Sequence, residues 1–280
     1  MKKLLLSLLA LFCVGLLACS SAEEEILAST APVQQFAQAV CRGTDLKVGL
    51  LVSEPVSCVH DYSLSTAQMM KLEKADLVLL SGADLEVFMQ DALASCRQVL
   101  TCDAGVKLLA GEEEGEFDPH IWLSPENARI MTRNIAKGLS ALYPDYADTF
   151  LKNAELYCDE LSNLELEAMV TLQGIPCTDL VTFHDGFAYF ADAFGLEILA
   201  AIEEEAGAEA SAKDLKEITE LVRDAAIPAI FVEKDGSDAA ARIIAGETGC
   251  KVGTLSTGLA DRDYFETIRG NALAIKEAFS

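Results

Sequence analysis

The sequence predicts an α/β protein of two similar lobes, each a parallel sheet flanked by helices, joined by one long rigid helix. Three observations lead there. Short apolar runs alternate with helix-like segments up to about residue 144. An unbroken helical stretch without Gly or Pro then runs from Asp145 to Gln173. After Gly174-Ile175-Pro176 a second alternating series begins. The expected division is a leader over 1–18, a tether over 19–25, a first lobe over 26–144, a spine helix over 145–173 and a second lobe over 174–280.

The chain opens with Met1-Lys2-Lys3 and an apolar run from Leu4 to Ala18. This is the layout of a secretory signal peptide, shorter than the roughly 20 apolar residues a spanning helix needs. Leu16-Leu17-Ala18-Cys19 resembles a bacterial lipobox. Cys19 is therefore the expected lipidation site, and acyl chains on it would hold an extracytoplasmic domain to the bacterial cell membrane.

In the first series, Leu46–Val52, Asp76–Leu80 and Arg97–Thr101 read as strands. Thr66–Lys74 reads as a helix capped by Ser65, and Leu85–Ala94 as another. Ser124-Pro125-Glu126 carries a cap, a proline and an acid in the order that starts a helix, which should run to about Leu142. At 1.5 Å per residue the spine would be roughly 40 Å long. The competing reading breaks it near Ser162-Asn163. Beyond it, Leu180–Phe183, Leu196–Ile202, Ala229–Val232 and Lys251–Leu255 read as strands. Phe187–Phe194, a segment opened by a capping box at Ser211, Asp238–Thr248 and Tyr264–Phe279 read as helices.

Lys and Arg number 21 and Asp and Glu 45, a net charge of −24. Such a surface excludes nucleic acid as a partner, because phosphates need basic neutralisation. Cys41, Cys58, Cys96, Cys102, Cys158, Cys177 and Cys250 remain after the leader and Cys19 are set aside. An odd number leaves at least one unpaired within the chain. Cys96 and Cys102 flank a strand and are too far apart in extended chain to bond.

There are three histidines. His60 lies in Cys-Val-His-Asp-Tyr, shortly after the first strand. His120 lies in Asp-Pro-His-Ile-Trp, just before a helix start. His184 lies in Thr-Phe-His-Asp-Gly, at the carboxyl end of a strand. In open α/β sheets ligands bind beyond the carboxyl ends of strands. Folding the lobes together would bring the three imidazoles to one interlobe cleft, a donor set that suits zinc. Asp61, Asp118 and Asp185 stand close enough in sequence to orient the rings. Ligating imidazoles must be neutral, so capture should weaken below about pH 6.

These segments, with Ala75-Asp-Leu-Val-Leu-Leu-Ser-Gly and Pro228-Ala-Ile-Phe-Val-Glu, resemble the zinc- and manganese-binding solute-binding lipoproteins of ABC importers. They occur in that family's order along nearly the whole mature chain. The resemblance implies that His60, His120 and His184 are metal ligands, that the cargo is zinc with manganese as the alternative, and that the partner is an ABC transporter permease. A monomer with no catalytic residues is expected. Family members often add an acidic fourth ligand in the second lobe, and here Ser256 aligns there. Water, Glu233 or one of Glu203–Glu205 would complete the shell, with Glu205 the named candidate. Nitrogen-rich donors favour zinc over manganese. The alternatives are a surface adhesin lipoprotein and a zinc-dependent hydrolase. The second has no HExxH and no evident general base in its favour.

Overall fold

The computed structural model describes residues 25–54, 59, 62–111, 115–203, 211–234, 236–261 and 263–280. The leader, Cys19, Cys58, His60, Asp61, Glu204 and Glu205 lie outside the described residues.

Two four-stranded parallel sheets organise the chain. The first contains β1 (Ile26–Ala28), β2 (Val48–Leu50), β3 (Leu77–Leu80) and β4 (Val99–Thr101) in the order β2-β1-β3-β4. The second contains β5 (Asp179–His184), β6 (Glu197–Glu203), β7 (Ala229–Glu233) and β8 (Lys251–Leu255) in the order β6-β5-β7-β8. Each sheet is covered by helices, as parallel sheets require. β1 and α1 (Ala31–Val40) were not among the elements read from sequence. A three-residue strand gives no period to read, although Pro32 at the start of α1 is a usable signal.

α2 (Thr66–Lys74) begins at Ser65, whose side chain accepts from the Gln68 N–H in a capping box. Leu85–Ala94 is not one helix. It forms a 3-10 turn at Val87–Met89 and the short α3 (Gln90–Leu93). The reason lies just upstream, where Ala83 and Asp84 adopt positive φ. Glu86 then folds its carboxylate back onto the N–H groups of Ser81 and Gly82.

α4 (Pro125–Leu142) starts at its Ser124 cap as expected. The spine is a single helix, α5 (Ala147–Leu172), entered through a 3-10 turn at Pro144–Tyr146, with no break at Ser162-Asn163. One stripe is buried: Phe150, Ala154, Tyr157, Leu161, Leu164, Ala168 and Leu172. That spacing of three and four residues is a helix pressing one face into a core. The core is shared by both lobes. Phe36 of α1 packs edge-on to Tyr264 at 5.0 Å, and Tyr264 opens α9 (Tyr264–Ala278) in the second lobe. Ion pairs Arg129–Glu165 at 2.6 Å and Arg133–Glu155 at 2.9 Å tie α4 to the spine.

The second lobe is completed by α6 (Ala188–Phe194), α7 (Ala212–Asp224) and α8 (Ala239–Thr248). Among the described residues Cys41, Cys96, Cys102, Cys158, Cys177 and Cys250 are all free thiols. Burial pushes the Cys41 thiol up to about 12 and Cys102 well above its usual range, so these two act as small apolar core residues. No helix among the described residues is long and apolar enough to cross a membrane.

Candidate metal centre

β5 is apolar and buried along Leu180, Val181 and Phe183, so it runs through the middle of its sheet. Its last residue, His184, emerges at the carboxyl edge and is only 3% exposed. His120 arrives from the other direction. Its chain leaves a bridge between Ala110 and Phe117, passes Asp118-Pro119, and enters a 3-10 turn at Ile121–Leu123 ahead of the Ser124 cap. Asn127 of α4 donates to the Ile121 carbonyl and fixes that turn. His120 is 1% exposed.

The two rings meet at 85°, with Nε2 of one 3.2 Å from Nε2 of the other. His120 Nδ1 lies 2.8 Å from Asp118 Oδ1, which also accepts from the His120 backbone N–H. A carboxylate oxygen accepts, so this contact is a hydrogen bond in the tautomer that carries its proton on Nδ1 and a lone pair on Nε2. For the second contact to be a hydrogen bond, His184 Nε2–H must donate to His120 Nε2. A metal ion held by both Nε2 atoms would have to displace that proton. The separation also suits the ion. Zn–N bonds of about 2.0–2.1 Å at a tetrahedral angle hold two ligand nitrogens about 3.3 Å apart.

Asp185 is pushed above its ordinary value, chiefly by burial and then by the charge of Asp118, with His120 opposing. A Cβ at Gly186 would stand 2.7 Å from His184 Nε2 and 3.1 Å from His120 Cε1. The missing Cβ is what lets both rings sit against this turn.

His120 and His184 are thus brought together, while His60 and Glu205 fall outside the described residues. Among the described residues no group of three or more His, Cys, Asp or Glu could hold a metal ion. Glu233 is buried at the end of β7 and accepts from Thr257 Oγ1 at 3.0 Å. Ser256 is engaged elsewhere, donating to Asp261 at 2.7 Å and accepting from the Gly258 N–H. Sequence reasoning missed the residues that bracket the His120 loop from the second lobe: Tyr189, Thr257 and Tyr264. Contacts across 80 to 142 residues leave no local signal.

The family model described as "Zinc-uptake complex component A periplasmic" matches residues 26–278. The chain belongs to this family. Its relatives include the zinc-binding lipoprotein AdcA of Streptococcus pneumoniae, 32% identical over 99% of this chain and 61% of AdcA. The chain therefore spans about 61% of the length of that relative. The crystal structure of ZnuA superposes with a TM-score of 0.84 at 29% identity, covering 91% of this chain and 98% of ZnuA. A manganese-bound periplasmic metal-binding protein from Candidatus Liberibacter asiaticus superposes at 0.79 and 25% identity, covering 91% of this chain and 99% of its own. Membership in a family of uptake components sets aside the hydrolase alternative and does not favour the adhesin one.

Proposed function

We propose that the chain captures a divalent transition metal outside the cytoplasm and delivers it to the permease of an ABC importer. Zinc is the expected cargo and manganese the alternative. His60, His120 and His184 are the ligands in this reading, with Glu205 or water in the fourth position. Acylated Cys19 would hold the protein to the membrane beside its permease, acting as a monomer.

The observation that carries the reading is the buried Nε2 pair, 3.2 Å apart, with His120 oriented by Asp118. A buried imidazole pair already near ligand spacing needs little reorganisation to bind. Two buried imidazole nitrogens as donors favour zinc over manganese, which prefers more oxygen donors. The family match and the metal-binding relatives support the same cargo class.

The test is zinc content and affinity of the protein from Ser20 onward, beside the triple variant His60→Ala/His120→Ala/His184→Ala. One tightly held zinc per chain, displacing manganese in competition and absent from the variant, is expected. Equal zinc binding by both proteins would overturn the three-histidine site.

A further inference from the structure

His120 precedes the spine in sequence, yet its loop is fastened to the lobe that follows the spine. At the upstream end, the Leu109 N–H donates to the Tyr189 hydroxyl at 2.9 Å. At the downstream end stands Trp122, the single tryptophan of the chain, fully buried two residues after His120. Its indole N–H donates to the Thr257 carbonyl at 2.7 Å. Its own carbonyl accepts from the Tyr264 hydroxyl, also at 2.7 Å.

We propose that Trp122 is a positioning residue for metal capture, clamping the His120 loop to Thr257 of the second lobe so that His120 and His184 hold ligand spacing. The proposal rests on the metal-site reading above. A buried indole N–H needs an acceptor, so this bond specifies one seat for the ring. The ring also packs on the histidine, with centroids 5.4 Å apart. Thr257 is fixed in turn by its hydroxyl bond to Glu233 at the end of β7. β7 lies beside β5, paired at Thr182 and Phe231, and β5 ends at His184. A continuous bonded path therefore runs from His120 through Trp122, Thr257, Glu233 and β7 to His184. His120 is thereby tied by hydrogen bonds to the lobe that carries His184.

Removing the clamp should loosen the pair without removing a ligand. Trp122→Phe keeps an aromatic ring and deletes the N–H. Tyr264→Phe deletes only the hydroxyl on the Trp122 carbonyl. Phe150→Leu is the control, trimming the same shared core on the spine, outside the bonded path. Zinc affinity is read by competition with a chromophoric chelator, zinc release by stopped flow, and the imidazole nitrogens of the metal-free protein by NMR. Loss of an outer partner of a metal ligand typically costs about 10–100-fold in affinity. Trp122→Phe acts one step beyond Asp118, the group bonded to the His120 ring, so it should reach the lower end of that range, about 10-fold, mostly through faster release, with averaged His120 and His184 nitrogen signals. Tyr264→Phe should shift affinity in the same direction by less, and it carries the test if Trp122→Phe does not fold. Phe150→Leu should lose stability while holding zinc within about twofold of the parent, because it leaves the bonded path intact.

Parent-like zinc affinity and release in both clamp variants would overturn the proposal. So would a Phe150→Leu loss as large as theirs, since the effect would then be general destabilisation. A His120→Ala/His184→Ala variant separates the two readings. If it binds zinc like the parent, the site assignment fails. If it loses zinc while the clamp variants do not, the clamp alone fails.

Discussion

Both sheets run second, first, third, fourth strand, and both reverse their order between the first and third strands. In open α/β folds that reversal is where ligands bind, beyond the carboxyl ends of the strands. The residues there differ between the lobes. In the first, Ser29 directly follows β1 and donates to buried Glu86 at 2.6 Å, while Glu86 also accepts from the N–H groups of Ser81 and Gly82. In the second, the corresponding place at the end of β5 is His184, pointing at His120. One lobe closes its reversal point with its own carboxylate, and the other leaves an imidazole at it. The topology supplies the same position in both lobes, and the side chain placed there differs.

The largest expected effect follows from that contrast. His184→Ala should weaken zinc binding by more than about 100-fold, beyond the range for losing an outer partner. Ser29→Ala, at the matching point of the first lobe, should cost about 1–3 kcal/mol of stability, because it strips a donor from a buried carboxylate. It should leave zinc affinity within about twofold. Isothermal titration and denaturant unfolding on both variants make the comparison. A zinc defect in Ser29→Ala matching that of His184→Ala would erase the functional difference between the lobes.

The next effect concerns pH. Burial pushes the Glu86 carboxyl up to about 7 from its ordinary 4.5, against the pull of its hydrogen bonds from Ser29, Ser81 and Gly82. A carboxyl raised in the folded state is protonated there while the unfolded chain has already lost its proton. Its contribution is fully present below about pH 4.5 and is lost as pH rises through about 7. A shift of that size corresponds to about 3 kcal/mol. Glu86→Gln removes the titration, so its unfolding free energy relative to the parent should rise between pH 5 and pH 8 by up to that amount. Urea unfolding at the two pH values reads it, and parallel pH dependence in the two proteins would show that Glu86 does not titrate in this window.

Legibility from sequence followed the range of the interactions. α2 and α4 could be read to the residue because Ser65 and the Ser124-Pro125 pair are local signals of a helix start. The spine was legible because nothing between Asp145 and Gln173 breaks a helix. β1 escaped, since three residues between polar flanks carry no period, and so did the turn that replaces a helix after Leu85. At the site, His120 and His184 stood out by residue type and by their Asp, Pro and Gly neighbours. Glu86 and Trp122 did not, because a carboxylate folded back on its own strand end and an indole bonded 135 residues away look ordinary in sequence.

The smallest effect sharpens the comparison at matching helix starts. α2 follows the second strand of the first sheet and α7 follows the second strand of the second, and each opens with a serine capping box. Replacing such a cap by alanine costs about 1 kcal/mol. The surroundings differ, however. Gln68, the partner of Ser65, is buried, and its amide also donates to the Leu51 carbonyl at 2.9 Å and the Tyr62 hydroxyl at 2.7 Å. Asp214, the partner of Ser211, has its cap bonds in solvent, and its carboxyl is held low chiefly by the Ser211 hydroxyl. Ser65→Ala should therefore exceed about 1 kcal/mol, because it frees a glutamine that ties the two flanks of the segment carrying His60. Ser211→Ala should stay at or below about 1 kcal/mol. Ser65→Ala should also slow zinc capture slightly, an effect Ser211→Ala should lack. Equal costs in unfolding and equal capture rates would mean that the first lobe's cap serves its helix alone.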